Sequence, residues 1–194
     1  PLRRQRQMCI RDRPSPAFIK EITLNAGKII KGYIGEDMNV QHKTRTDLVT
    51  NADQDAEQYL IDTIREAFPD HGINAEESGE WEGEPEHQWY LDPLDGTLNF
   101  AHGIPFYSVS VGYAYKGEMA LGAVYDPLRE EMYTAERGQG ASLNDTPIQV
   151  SEETALINCM LATGFPHDQA VWGTPADNTA NFTQFNKRCQ TVRR

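Results

Sequence analysis

The hydrophobic pattern of the chain changes its period near residue 106, and this change limits the folds available to the chain. Apolar residues recur at helical spacing over residues 15–33 and again over about 51–68. From residue 106 they alternate in YSVSVGYAY, EMALGAVYD and EMYTAE, with turns predicted at Lys116–Gly117 and Pro127–Leu128. Two helices followed by an antiparallel meander of at least three strands predict an α+β fold.

The segments between these blocks predict shorter elements. NVQHKTRTDLVT predicts a polar connection that is compatible with a hairpin. HGINAEES predicts a short strand that is followed by charged residues. GEWEGEPEHQ holds two glycines, a proline and four glutamates, so we expect an exposed, mobile loop. WYL predicts a short strand that delivers Asp92.

The chain divides into three predicted parts. Residues 1–14 form a basic extension that is disordered or foreign to the domain, and residues 15–150 form an N-terminal α+β domain that binds metal and phosphate. Residues 151–194 begin a C-terminal α/β domain, in which LINCMLAT predicts a buried strand and NTANFTQFNKRC an amphipathic helix. Because one strand and one helix cannot cover their own apolar face, we expect this domain to continue past Arg194.

The net charge, the length of the apolar runs and the cysteine positions argue against several classes of function. The formal net charge of −11 disfavours nucleic acid as the main partner. No apolar run approaches the roughly 18 residues that a membrane span requires. The three cysteines are far apart and in no metal-binding spacing, which favours a reducing cytoplasm.

The stretch WYLDPLDGTLNF, residues 89–100, gathers the oxygen atoms that a hard cation prefers. Asp92 ends an apolar run, Asp95 follows three residues later, and the Leu94 carbonyl can point the same way. Mg²⁺ takes a few carboxylates and fills its octahedron with water. The competing interpretation is a turn that caps the following helix, with Asp95 as the N-cap.

Gly96 and Thr97 start the helix that follows, so their backbone N–H groups are candidates for holding an anion such as a phosphate. Asp53 closes TNAD, which fits a capping box but leaves the carboxylate able to reach a neighbouring hydroxyl. Glu76 lies in AEES, which is either a ligand segment or a solvated loop. Lys43 is a surface cation unless the fold brings it to the site.

Taken in order, DLVTNAD, AEESG and WYLDPLDGTLNFAHGIPF resemble the inositol monophosphatase family over roughly residues 15–190. The resemblance implies a layered αβαβα sandwich, with its C-terminal part incomplete here, and a lithium-sensitive, Mg²⁺-dependent phosphatase of small phosphate monoesters. It also implies that a metal-activated water hydrolyses the ester, most readily an inositol monophosphate, and that the complete protein is a homodimer. From the cysteines, the net charge and the short apolar runs we expect a cytoplasmic protein without nucleic-acid or membrane partners.

The resemblance also assigns roles to individual residues. It implies that the first metal is held by Glu76, Asp92 and the Leu94 carbonyl, and the second by Asp92 and Asp95. The phosphate would be bound by Asp95, Gly96 and Thr97, and the catalytic residues would be Asp53, Thr97 and Glu76. Lys43 and the acidic 80–87 segment would form a flap over the site. In the complete protein, the site would hold two or three Mg²⁺.

One departure from the family pattern limits the expected activity. The family's remaining metal aspartate lies in a C-terminal WD motif, and no WD occurs in this chain. We therefore expect the 194-residue chain to bind the second metal poorly and to have little activity. Three alternatives stay open: a fructose-1,6-bisphosphatase or other phosphatase of the same family, a non-catalytic metal- or phosphate-binding protein, and a haloacid-dehalogenase-type phosphatase. In the last family, one residue separates the two aspartates of the motif that contains DGT, whereas here two residues, Pro93 and Leu94, separate Asp92 from Asp95.

Overall fold

The computed structural model of the protein describes residues 13–36, 41–42, 48–166 and 169–193. The predicted basic extension lies almost wholly outside these residues, and Lys43 lies outside them too. The described residues divide into two compact units, the first ending at Gln149 and the second covering 150–166 and 169–193.

Two long helices open the first unit. Helix α1 spans Pro16–Gly32 and begins where the Ser15 hydroxyl accepts the Phe18 N–H at 3.1 Å. Helix α2 spans Asn51–Ala67 and begins with a capping box at Thr50. Both predicted helices are confirmed, because a capping side chain followed by apolar residues at helical spacing fixes start and length locally.

The remaining elements are mostly short strands. The strands of the first unit are β1 Gln41–His42, β2 Leu48–Val49, β3 His71–Ala75, β4 Gly79–Trp81, β5 Glu84–Asp95, β6 Ser108–Tyr115, β7 Glu118–Asp126, β8 Glu131–Glu136, β9 Gly140–Leu143 and β10 Thr146–Ile148. The second unit holds β11 Met160–Ala162 and β12 Thr191–Arg193. The short helices are α3 Thr97–Ala101 and α4 Thr179–Asn186.

Eight strands of the described chain form one sheet in the order β10-β9-β8-β7-β6-β5-β3-β4. Neighbouring strands are antiparallel except β3 and β5, which run parallel. The predicted meander is confirmed as β6, β7 and β8. Lys116 and Gly117 form its first turn with φ of 55° and 78°, the left-handed values that a tight two-residue hairpin needs.

Helices α1 and α2 contact each other and pack on the same side of this sheet. Helix α1 packs against β6, β7 and β8, and helix α2 packs against β3 and β5. Gly27 of α1 allows close contact, since a Cβ there would lie 2.4 Å from the Tyr125 ring of β7. The core between these layers is mostly aliphatic; its largest fully buried side chains are Trp89, Tyr113, Ile19, Ile22, Ile30, Leu60, Ile61, Ile64, Ile73, Leu94, Val109 and Val111.

The acidic segment 79–88 is largely strand, so the prediction of a loop is wrong. Residues 79–81 form β4, and Glu84–Asp95 form one strand of twelve residues that extends well beyond the predicted WYL. The segment is strand because β5 lies between β3 and β6, where its backbone finds partners on both sides. Its glutamates are exposed, as expected.

The second unit departs from the sequence prediction at its first strand. LINCMLAT forms a 3₁₀ turn at Leu156–Asn158 and then β11, which pairs in parallel with β12. Met160 of β11 is 67% exposed, so the prediction of a buried strand is wrong here. The predicted helix is confirmed as α4, whose Phe182 ring contacts Phe165 at 5.6 Å between centroids. Within the described chain, no helix is both long and apolar enough to cross a membrane.

Candidate metal and phosphate site

The parallel pairing of β3 with β5 brings two of the predicted ligands together. Ala75 lies opposite Leu91, so the residue after each, Glu76 and Asp92, occurs at the same edge of the strand pair. The Glu76 N–H donates to the Leu91 carbonyl at 3.1 Å, which fixes the start of the turn that follows β3. Two segments that are separate in sequence therefore present neighbouring carboxylates.

A β-bulge adds the third carboxylate. Asp92 pairs with Ser110 of β6 and Asp95 with Ser108, so two residues on β5 oppose one on β6. A regular strand would place residues three apart on opposite faces, and the extra residue breaks this alternation. Asp95 consequently lies near enough to Asp92 to influence its ionisation.

The electrostatics of Asp92 show how closely the acidic groups are gathered. Partial burial first, then Glu76, then Asp95, raise the pKa of the Asp92 carboxyl to about 8. A hydrogen bond from the Leu94 backbone acts in the opposite direction. A carboxyl in such surroundings holds its proton near neutral pH unless a cation compensates the charge.

The Asp92 carboxyl also has an unsatisfied atom. Its Oδ1 is buried and has no hydrogen-bond partner among the described residues. Buried polar atoms without partners are rare in folded proteins, and a carboxylate oxygen in this position is suited to bind a cation. The donor set fits Mg²⁺, because the carboxylates of Glu76, Asp92 and Asp95 and the carbonyl of Leu94 are all hard oxygen ligands.

The candidate ligands would supply only part of a coordination shell. No three His, Cys, Asp or Glu side chains in the described parts of the chain converge closely enough to form a metal cluster by themselves. Mg²⁺ keeps several of its waters when proteins bind it, so a partial set of carboxylates suits Mg²⁺ better than a metal that needs an all-protein cage.

Gly96 sets the direction in which the chain leaves β5. Its φ of 99° is left-handed, and a Cβ there would lie 3.0 Å from the Phe106 carbonyl oxygen. Helix α3 begins at the next residue, and the Phe100 N–H donates back to the Gly96 carbonyl at 3.0 Å. Two of the three predicted phosphate-binding residues, Gly96 and Thr97, therefore stand at the start of a helical turn directly beside the third, Asp95.

Asp53 is a bridge between α2 and this turn. Its side chain is 1% exposed, and its Oδ2 accepts the Thr50 N–H at 2.8 Å and the Thr50 hydroxyl at 2.5 Å. Its Oδ1 lies 2.8 Å from the Thr97 hydroxyl, which is also 3.0 Å from the Leu94 carbonyl. The capping box and the contact with a distant hydroxyl therefore coexist, each using a different oxygen of one carboxylate.

Glu57, one helical turn after Asp53, was missed by sequence reasoning. It is 3% exposed, and its two carboxylate oxygens accept the N–H groups of Glu77 at 2.8 Å and Ser78 at 2.9 Å. The signal in the sequence is a carboxylate four residues after Asp53, on the helix face that also carries Leu60 and Ile64. A charged residue on a buried stripe requires partners, but sequence spacing does not say where they are.

Two depressions flank the acidic groups. One, of about 600 Å³, is lined by Glu76 and Asp92 together with mainly apolar side chains of β6 to β10. The other, of about 400 Å³, is lined by Asp95, Gly96 and Arg129 among others. The site is thus open to small molecules on both sides of the bulge in β5.

Of the two parts of the predicted flap, the acidic segment lies within the described residues and Lys43 lies outside them.

Comparison with known proteins gives one consistent result. A sequence profile described as the inositol monophosphatase family matches residues 14–194. The protein named Nus factor SuhB from Pasteurella multocida is 46% identical over 147 residues, which are 74% of this chain and 55% of that protein. Its namesake from Escherichia coli K12 is 45% identical over 152 residues, or 77% of this chain and 57% of that protein. The chain therefore spans little more than half the length of these curated relatives.

Solved structures agree with the sequence comparison. The extragenic suppressor protein suhB from Bartonella henselae superposes with a TM-score of 0.81 at 34% identity, over 91% of this chain and 67% of that one. Inositol monophosphatase from Anabaena superposes with a TM-score of 0.79 at 37% identity, over 91% and 64%. The predicted α+β class and its layered phosphatase type are confirmed by these similarities.

Proposed function

Because the chain belongs to the inositol monophosphatase family, we propose that it provides the metal- and phosphate-binding part of a Mg²⁺-dependent phosphatase of small phosphate monoesters. The observation that carries this proposal is the buried, unpartnered Oδ1 of Asp92 beside Glu76. A protein gains nothing from that arrangement without a cation, since it concentrates repulsion and leaves an oxygen desolvated.

Each site residue has a role in this proposal. Glu76, Asp92 and the Leu94 carbonyl would hold one Mg²⁺, and Asp92 and Asp95 would hold a second. Bound Mg²⁺ supplies a Lewis acid that neutralises phosphate charge and lowers the pKa of water. Two or three ions per site are proposed for the complete protein.

The phosphate and the attacking water are positioned by neighbouring groups. The N–H groups of Gly96 and Thr97 face the phosphate at the start of α3. Asp53 holds the Thr97 hydroxyl at 2.8 Å, and this contact lets the hydroxyl orient a water for in-line attack on phosphorus. The buried position of Asp53 keeps that hydroxyl in one rotamer.

The substrate is proposed to be an inositol monophosphate. Supporting it is the similarity to a protein named inositol monophosphatase, at 37% identity. Fructose 1,6-bisphosphate and other small phosphoesters are the alternatives within the same chemistry. Inhibition by Li⁺, a cytoplasmic location, a homodimer in the complete protein and low activity of the 194-residue chain belong to the same proposal.

Calorimetric titration with Mg²⁺, run beside phosphate release from inositol 1-phosphate, tests the proposal on wild type and Asp92→Asn. We expect wild type to bind Mg²⁺ and to release phosphate slowly, and the variant to do neither. Absence of Mg²⁺ binding by wild type, or equal phosphate release by both proteins, would contradict it. Mg²⁺ binding without any phosphate release would favour the non-catalytic metal- or phosphate-binding alternative.

A role as a Nus factor is a second candidate, favoured by the name of relatives 44–46% identical to this chain. Adding wild type and Asp92→Asn to a transcription assay separates the two functions. An effect on transcription that persists in Asp92→Asn would assign it to a surface other than the metal site, and no effect with either protein would remove this candidate.

A further inference from the structure

Helix α2 carries two buried carboxylates one turn apart, and they serve two different segments of the site. Asp53 and Glu57 are 1% and 3% exposed and lie four residues apart, on the same helix face. Asp53 reaches the Thr97 hydroxyl after β5, whereas Glu57 reaches the turn after β3. The proposed function uses the first carboxylate and gives no role to the second.

Glu57 fixes the backbone immediately after a proposed metal ligand. Its oxygens accept the N–H groups of Glu77 and Ser78 at 2.8 and 2.9 Å. Hydrogen bonds from N–H groups to a charged carboxylate are short and roughly twice as strong as neutral ones. The N–H of Glu76 itself is held by the Leu91 carbonyl at 3.1 Å. Three consecutive backbone N–H groups of one turn are therefore anchored, one to β5 and two to α2.

This anchoring restricts where the Glu76 side chain can go. The Glu76 side chain is exposed, and the pairing of β3 with β5 places it next to Asp92. A turn without these anchors could shift its backbone and carry the Glu76 Cα–Cβ bond away from Asp92. Because Glu57 holds the N–H groups of the next two residues, such a shift breaks two charge-assisted hydrogen bonds.

We infer that Glu57 is a positioning residue that holds the Glu76–Ser78 turn so that the Glu76 carboxylate faces Asp92 in a conformation ready to bind a divalent cation. The inference rests on the proposed Mg²⁺ site. Together Asp53 and Glu57 make α2 the element that sets the spacing between the β3 and β5 segments of that site. Groups that orient metal ligands typically affect metal affinity by about 10–100-fold when they are removed.

The test uses a graded pair of variants in the 194-residue chain. Glu57→Gln keeps the side-chain volume and one acceptor oxygen, but its amide N–H₂ faces one of the two backbone N–H donors of Glu77 and Ser78. Glu57→Ala removes both acceptor oxygens. Two controls lie on the same helix: Glu66→Gln makes the same chemical change at an exposed site, and Ile64→Val, at 0% exposure, destabilises the core without touching the turn.

Three quantities are measured: Mg²⁺ affinity by calorimetry, hydrogen exchange of the Glu77 and Ser78 amides, and the urea midpoint. We expect Mg²⁺ affinity to fall about 10-fold in Glu57→Gln and further in Glu57→Ala. Exchange of both amides should accelerate in the same order. Ile64→Val should lower the midpoint, yet it and Glu66→Gln should keep the Mg²⁺ affinity of wild type within about twofold, since neither touches the ligands.

The outcomes separate this inference from the proposed function. Wild-type Mg²⁺ affinity in both Glu57 variants would overturn the positioning role and leave the phosphatase proposal intact. A loss of affinity in Ile64→Val equal to that in Glu57→Gln would reduce Glu57 to a residue that only stabilises the fold. Failure of wild type to bind Mg²⁺ would overturn both proposals together.

Discussion

Replacing Asp92 with asparagine should stabilise the metal-free protein, and the gain should depend on pH. The pKa of this carboxyl rises from 3.8 to about 8 on folding, because it is partly buried and faces Glu76 and Asp95. Between these two values the folded state binds more protons than the unfolded state. The free energy of unfolding of wild type therefore falls as pH rises through this window.

The size of the effect follows from the same shift. A rise from 3.8 to about 8 corresponds to an upper limit of about 6 kcal/mol. The carboxyl is only partly buried, and solvent screens its repulsion from the exposed Glu76 and Asp95, so we expect about 2 kcal/mol at pH 8. An asparagine side chain at this position carries no charge at any pH and avoids this cost.

Urea unfolding in EDTA between pH 4 and pH 8 measures the difference. Wild type and Asp92→Asn should have similar free energies of unfolding near pH 4, and the variant should be more stable by about 2 kcal/mol near pH 8. The exposed Asp70→Asn serves as a control that should follow wild type throughout. A difference between wild type and Asp92→Asn that stays constant over this range would refute the assigned environment of Asp92.

Added Mg²⁺ should reverse the order of stability. A cation that binds only the folded state stabilises it by about 2.7 kcal/mol when its concentration is about 100 times its Kd. Wild type should gain this stabilisation and Asp92→Asn should not. If both proteins gained equally, the cation would be binding somewhere other than Asp92.

Three further substitutions test the backbone and hydrogen bonds of the first unit, two of them at the site itself. Thr97→Val removes the hydroxyl that donates to Asp53 Oδ1 and should cost about 1–3 kcal/mol by urea unfolding, whereas Thr97→Ser should retain most of both stability and Mg²⁺-dependent phosphate release. Gly83→Ala places a Cβ 2.2 Å from the Gly72 nitrogen and should lower the urea-derived free energy of unfolding by about 3 kcal/mol. The control Gly122→Ala should lower it far less, because a Cβ at Gly122 meets no atom within 4 Å. Gly96→Ala, at a φ of 99°, should cost about 1–3 kcal/mol and weaken phosphate binding in a calorimetric titration, and unchanged binding would remove Gly96 from the anion site.

The sequence was informative wherever the determining interactions are local. Helices α1 and α2 begin at capping side chains and follow a helical period, so their bounds were predicted nearly to the residue. The two-residue turn at Lys116–Gly117 fixed the register of β6 and β7 for the same reason. The order of the motifs carries the resemblance to the inositol monophosphatase family, and that resemblance supplied the candidate site residues.

Only the tertiary structure decided how those motifs meet. The acidic segment 84–88 became strand because β3 and β6 supply partners that are distant in sequence, which no local propensity records. The same long-range pairing places Glu76 beside Asp92, gives Glu57 two backbone donors from a separate segment, and leaves Asp92 Oδ1 without a partner among the described residues. Composition and period specify which groups are present, whereas burial and distance, which set pKa and metal affinity, arise only when separate strands are packed together.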